Sequence, residues 1–289
     1  MKFILIGASG QLGGYLKKDL LTLGEVLTPS HQELDITQKE SIAHYLDKFN
    51  DATHIINTAA FNDVNKAHSE WQKSFNLNCM AVNYLASLTA NKGMCFVTFS
   101  TDYVFNGQKK SPYLENDMVA PLQVYGASKA AGESLALAVN SSSMIVRTAG
   151  LYGGHGSSVK GNFVLNRIND SKTMSKISIA SNQFTSTTYA GDLSKAVVDL
   201  LSKKATGGIY HLTNSGSVSW AMFATQIFKN IKSDTTVLSV NRDFTSKLVI
   251  RPAYSVLGNS NAKSHGVVLP HWRQGLLKYL NELSLWNNL

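Results

Sequence analysis

The stretch FILIGASGQLGGYL, residues 3–16, decides the fold. Phe3–Ile6 is a short apolar run stopped by glycine, the mark of a strand buried on both faces. Leu12, Leu16, Leu20 and Leu23 then recur on one side of a helix expected over Gln11–Leu23. Between strand and helix, Gly7, Gly10 and Gly13 form G-x-x-G-x-x-G. A tight turn, close approach of backbone N–H groups to a pyrophosphate, and close packing of helix on strand all need residues without a Cβ. The pattern therefore points to a dinucleotide site, with a purely structural turn as its rival.

Working outward, strands are expected at Val26–Thr28, His54–Asn57, Met94–Ser100 and Met144–Thr148. Helices are expected over Asp35–Asn50, about Trp71–Ala90, and Val124–Val139, with Asp35 or Thr37 capping the first of these. Strand and helix alternate, which predicts an α/β fold: a Rossmann-type doubly wound parallel sheet with a smaller C-terminal substrate-binding domain. Beyond a glycine-rich stretch (Gly150 to Gly161) lie a strand at Ile177–Ala180, a helix near Ala190–Lys203, and irregular polar segments. The dinucleotide domain is assigned residues 1–150 and about 177–205, and the substrate domain about 151–176 and 206–289.

The 289 residues are 44% hydrophobic and 16% charged, enough apolar surface for a core and too little charge for a disordered chain. The net charge of +8 raises nucleic acid, an anionic membrane or a polyanionic small ligand as partners. The lysines are scattered, only five of the 27 cations are arginine, and no basic run occurs, so nucleic acid is disfavoured. No apolar run approaches the ~18 residues of a membrane span, and MKFILIGASG is too short for a signal peptide, so the expectation is a cytoplasmic protein without membrane partners. Cys79 and Cys95 form no metal-ligand spacing and read as buried, inert thiols; the eight histidines include no H-x-x-x-H pair, and no metal is expected.

Tyr125 and Lys129 stand four apart on a predicted helix, hence on one face. A phenol titrates near ~10, and a neighbouring ammonium favours its ionised form, so the pair suits a proton donor to a carbonyl. With 11 tyrosines and a lysine-rich chain such a pair is commonplace, and a solvated helix face is the rival reading. Ser100 and Thr101, ending a strand 24 residues upstream of Lys129's helix partner Tyr125, add a hydroxyl that would meet the same oxygen. After the second strand, Thr28–His31 holds no acid to grip a ribose 2′-hydroxyl, so NADPH is allowed as well as NADH.

Together these residues resemble the extended short-chain dehydrogenase/reductase family. NTAAFNDVNKA (57–67), STDYVFNG (100–107), VYGASKAAGE (124–133), RTAGLYG (147–153), NQFTSTTYAGDL (182–193), GGIYHLTNSGSVSW (207–220), RPAYSVL (251–257) and LPHW (269–272) are similar to its 4-keto-sugar reductase branch, the dTDP-4-dehydrorhamnose reductase family, over nearly the whole chain. The resemblance implies reduction of the 4-keto group of a nucleotide-activated 6-deoxy sugar by NADPH or NADH, and a homodimer as the assembly to consider. It gives Tyr125 as proton donor, Lys129 on the nicotinamide ribose, and Thr101 on the substrate carbonyl. Gly7, Gly10, Gln11, Leu12 and Gly13 would surround the cofactor diphosphate, Asp35 and Ile36 the adenine, and Ala59 and Ala60 its path. Val64, Tyr103, Gly150 and Arg251 would face the nucleotide-sugar; packing or an intramolecular pair is the rival for Tyr103 and Arg251.

Three departures from the branch stand out. Gly150 replaces its tryptophan, Asn65 and His68 replace two acids, and Gly191 stands where a metal-binding glutamate of some members would fall. Losing the tryptophan removes a large apolar contact and opens the choice of sugar. Two other readings stay open: a reductase or epimerase of another nucleotide sugar, separated by net consumption of NADPH, and a non-catalytic subunit resembling the regulatory subunit of methionine adenosyltransferase. Tyr103 after Thr101-Asp102 leaves no glutamate for a dehydratase.

Overall fold

The computed structural model describes residues 1–154, 161–243 and 249–286; residues 155–160 of the glycine-rich stretch thus lie outside it. Strands β1 (Lys2–Ile6), β2 (Glu25–Leu27), β3 (His54–Asn57), β4 (Cys95–Thr101) and β5 (Met144–Thr148) alternate with helices α1 (Gly13–Leu20), α2 (Lys39–Lys48), α3 (Lys66–Ser69), α4 (Trp71–Phe75), α5 (Ala81–Asn91) and α6 (Val124–Val139). A single π-helical turn, Asn76–Met80, joins α4 to α5, so the expected long helix is present with one wide turn inside it.

The sheet order is β2-β1-β3-β4-β5, all parallel, and the strand Gly208–His211 extends it beside β5. Side-chain alternation explains the two helical layers. Phe3 and Leu5 face Leu16 and Leu20 of α1, together with Leu193, Val197 and Leu200. Ile4 and Ile6 face the other way, onto Ile42 and Leu46 of α2 and Val82 and Leu85 of α5. Strand order reverses about β1, so β2 and β3 leave a crevice beyond their carboxyl ends, where this class of sheet binds ligands.

After β5 come β6 (Leu151–Tyr152), α7 (Phe163–Asp170), β7 (Lys176–Ala180), β8 (Phe184–Thr185), β9 (Thr188–Tyr189), α8 (Ala190–Ser202) and β10, the sheet-extending strand. They are followed by β11 (Val218–Ser219), α9 (Trp220–Asn230), β12 (Thr236–Val240), β13 (Tyr254–Ser255), α10 (Ser260–Ser264) and α11 (Trp272–Trp286). Two assigned boundaries are corrected by pairing. β10, placed with the smaller domain, belongs to the large sheet, while β7, placed with the dinucleotide domain, pairs with β12 outside that sheet. The expected cap is corrected too. α2 begins at Lys39, and Asp35 instead accepts from the Thr37 backbone N–H (2.9 Å) and hydroxyl (2.7 Å), a turn pinned by buried Leu34 and Ile36.

Candidate active site

The glycine turn is built by contacts that exclude a Cβ. Gly7 has φ +80°, and Gly10 N–H donates to its carbonyl at 2.9 Å. At Gly13 a Cβ would lie 2.1 Å from that same carbonyl oxygen. Thr58, just past β3, donates its hydroxyl to the Ile6 and Gly7 carbonyls at 2.8 and 3.0 Å, tying the turn to the crevice. The first turn of α1 has neither a side-chain cap nor an acid; Gly14 N–H donates to the Gly10 carbonyl at 3.1 Å, and the N–H groups just ahead of it are the ones left for an anion. Gly13→Ala is expected to cost about 1–3 kcal/mol of stability through overpacking, seen as a lower Tm, and to weaken dinucleotide binding in a fluorescence titration.

A cleft of about 820 Å³ opens above these strand ends. It brings together Gly10, Gln11, Leu12, Ala59, Ala60, Thr101, Tyr125, Lys129 and Gly150. Gly7 and Gly13 lie behind the turn, and neither Asp35 nor Ile36 lines the cleft; Ile36 is packed in the core beside α2. Three buried polar atoms of the lining, Asn57 Nδ2, Ser100 Oγ and Thr148 Oγ1, have no protein partner. A cradle without Cβ atoms, an uncapped helix start and unpartnered polar groups along the strand ends fit a dinucleotide.

A smaller cavity of about 170 Å³ adjoins, lined by Val64, Tyr103, Gln183 and Trp220 among others. Thr101, Asp102, Tyr125 and Gly150 line both cavities, so these residues form the wall between them. Gly150 has φ +50°, and a Cβ there would come 2.9 Å from the Ser186 carbonyl, which keeps this wall thin. Arg251 donates to Asn65 Oδ1 at 2.9 Å and hydrogen-bonds Tyr103, whose ring meets that of Tyr125 edge-on at 6.2 Å. Burial pushes the Tyr103 phenol up to about 12.

Close helix packing sets the reactive pair. The Gln123 side chain accepts from Gly126 N–H at 2.8 Å to start α6. Cβ atoms at Gly126 and Gly132 would each lie 2.1 Å from a carbonyl, of Tyr103 and Asn78 respectively. Thus only this small-residue face lets α6 seat Tyr125 against Thr101 and its neighbours. Lys129 is buried, not on the solvated face that was the rival reading. Burial holds its ammonium down at about 8, opposed by the charge of Glu133 one turn on. The expected fall in the Tyr125 pKa is also corrected: burial drives it upward, against a hydrogen bond with Thr101, and the phenol keeps its proton at neutral pH.

Sequence reasoning missed several residues. Asn78, 1% exposed in the π-helical turn, exchanges hydrogen bonds with the Phe61 backbone and so fixes the loop bearing Ala59 and Ala60. Gln183, Thr185, Trp220 and Ser255 reach the small cavity from distant segments; the stretches 182–193, 207–220 and 251–257 contain them, but no local spacing singles them out. Thr28–His31 after β2 holds no acid, as read, but an acid follows just beyond it. Glu33 folds back, and its carboxylate accepts from the Ser30 N–H and hydroxyl, each at 2.8 Å; an S-x-x-E spacing was the available signal. Cys79 is buried and Cys95 partly so; burial pushes both thiols up, away from reactivity.

Comparisons with known proteins identify the family and the fold. Residues 1–285 match the family model described as RmlD substrate binding domain. Spore coat polysaccharide biosynthesis protein SpsK of Bacillus subtilis (strain 168) is 37% identical over 284 residues, 98% of each chain. A dTDP-4-dehydrorhamnose reductase of Aggregatibacter actinomycetemcomitans is 34% identical over 95% of this chain and 97% of its own. The crystal structure of dTDP-4-dehydrorhamnose reductase from Bacillus anthracis str. Ames in complex with NADP superposes with a TM-score of 0.91 at 32% identity, covering 97% of this chain and 99% of that one. Sequence and fold thus agree, and the chain belongs to the RmlD substrate binding domain family.

Proposed function

We propose that this protein is an NAD(P)H-dependent oxidoreductase that reduces the 4-keto group of a nucleotide-activated 6-deoxy sugar, as a dTDP-4-dehydrorhamnose reductase. The observation that carries the reading is the wall shared by two cavities: Thr101 and Tyr125 face both the large glycine-floored cleft and the small polar one. A bound dihydronicotinamide dinucleotide supplies the hydride. Gly10, Gln11 and Leu12 hold its diphosphate, Ala59 and Ala60 border it, and Lys129 holds the nicotinamide ribose. Tyr125 gives its phenolic proton to the carbonyl oxygen as charge develops there, and the Lys129 ammonium stabilises the phenolate left behind. Thr101 hydrogen-bonds that oxygen, while Val64, Tyr103, Gly150 and Arg251 face the nucleotide-sugar. Arg251 offers a guanidinium for its diphosphate.

Thr28–His31 after β2 holds no acid to grip a ribose 2′-hydroxyl, so both NADH and NADPH stay in the reading. Among the described residues no helix is long and apolar enough to cross a membrane. A cytoplasmic enzyme acting as a homodimer completes the proposal. The test is a panel of dTDP-, UDP- and GDP-linked 4-keto sugars, following NADPH and NADH absorbance and identifying products by NMR. Oxidation of the cofactor with one keto sugar, dTDP-linked, is expected. Interconversion of sugars without net oxidation would show an epimerase, and no turnover with any of them would remove the enzymatic reading.

A further inference from the structure

Thr101 has one hydroxyl proton, and two acceptors compete for it. The reduction proposed above, on which this inference rests, needs that proton on the substrate carbonyl. In the structure it goes to Asp102: Thr101 Oγ1 donates to Asp102 Oδ1 at 3.1 Å, while accepting from the Tyr103 backbone N–H at 3.2 Å and hydrogen-bonding the Tyr125 hydroxyl. Asp102 is 4% exposed and sits in the wall between the two cavities. Its other oxygen accepts from the Ser255 hydroxyl at 2.5 Å and the Thr185 hydroxyl at 3.4 Å. Three hydroxyls from β4, β8 and β13 therefore converge on one buried carboxyl. Among the described residues no cation pairs with it: Tyr125 and Lys129 of α6 face this region, Tyr103 follows on its own turn, and Arg251 stands beyond Tyr103.

We propose that Asp102 is a proton-linked positioning residue that decides whether Thr101 donates to the substrate carbonyl. With Asp102 ionised, the Thr101 proton stays on Oδ1, and Tyr125 is the sole hydroxyl donor left for the carbonyl. With a solvent proton on Oδ1, the carboxyl O–H donates to Thr101 Oγ1, and the Thr101 proton turns into the cavity; Oδ2 still accepts from Ser255. Burial without a cationic partner brings this exchange into an accessible range, holding the carboxyl up at about 6. One donor gained at a developing oxyanion is worth about ten-fold or more in turnover.

The test measures kcat at saturating keto sugar and NADPH from about pH 5 to about pH 8 in the wild type, Asp102→Asn, Thr101→Ala and Ser255→Ala, with circular dichroism to verify folding. Wild-type kcat is expected to fall about ten-fold or more with rising pH across this range. Asp102→Asn and Thr101→Ala should both flatten the profile, one removing the titrating group and the other the proton it controls. Ser255→Ala removes a donor that favours the carboxylate, so its fall should move to higher pH. Infrared difference spectra on acidification should show a protonated-carboxyl band in the wild type that Asp102→Asn lacks. A wild-type fall retained in Asp102→Asn, an unmoved fall in Ser255→Ala, or a flat wild-type profile with full turnover overturns the proposal alone. Absence of turnover by the wild type overturns the proposed reaction and this proposal with it.

Discussion

Tyr125→Phe is expected to lose at least about 10²-fold in turnover while binding the dinucleotide almost as the wild type does. The substitution deletes one oxygen and keeps the ring, whose edge-on contact with Tyr103 helps seat the first turn of α6. Packing is therefore conserved, and the loss falls on the proton. Developing negative charge on the reduced carbonyl oxygen would find no phenol, and the Thr101 hydroxyl, shared with Asp102, can hydrogen-bond that oxygen but is too weak an acid to give it a proton. Lys129 is no substitute, because its proposed place is on the cofactor and one turn of helix separates it from Tyr125. Stopped-flow reduction of the keto sugar, paired with fluorescence titration of NADPH, separates the two effects. Retention of more than about a tenth of wild-type turnover would remove Tyr125 as the proton donor. Equal losses in turnover and cofactor affinity would make it a structural residue.

The prominence of Tyr125 in the sequence has a physical basis that most of the site lacks. Its spacing to Lys129 is local and helical, and Thr101 closes an apolar run, so each belongs to a period that a single chain displays. The large sheet was readable for the same reason: Phe3–Ile6, His54–Asn57 and Met144–Thr148 are compact apolar runs between amphipathic helices. β10 escaped because GIYH offers a glycine and a histidine where a buried strand normally shows aliphatic residues. That histidine is fully buried, with Nδ1 between the Tyr113 and Gly258 carbonyls, so a tertiary pocket overrode its polarity. Asp102 looked like an ordinary member of STDY for a related reason. Its partners Thr185 and Ser255 are 83 and 153 residues away, and only the β8–β13 pairing delivers them.

A second large effect is expected at Arg147, which lies behind the site. Arg147→Met should destabilise the protein by about 3–5 kcal/mol, because it strands a buried charge. Arg147 is 2% exposed on β5, and Glu133 on α6 is 5% exposed. Nε donates to both carboxylate oxygens at 3.0 and 3.1 Å, and Nη2 donates to Oε2 at 2.6 Å. The remaining nitrogen Nη1 contacts the Glu115 carbonyl and His211 Nε2, each at 3.4 Å. Burial first, then the guanidinium charge, drives His211 down to about 3, so it is neutral. With Nδ1 facing two carbonyls, its proton belongs there, and Nε2 is left as the acceptor for Arg147. Phe105 lies 5.2 Å beneath the guanidinium. Methionine fills much of the volume but answers none of these acceptors. The pair also reaches the chemistry, since Glu133 is one turn from Lys129 and its charge opposes the burial that depresses that ammonium. Urea denaturation of Arg147→Met, Glu133→Leu and the double variant separates the contributions. The double variant should recover much of the loss, because an apolar pair of similar volume leaves no unpaired charge. A single variant within about 1 kcal/mol of the wild type, or a double variant no better than Arg147→Met, would show that the bidentate pair does not hold α6 against β5.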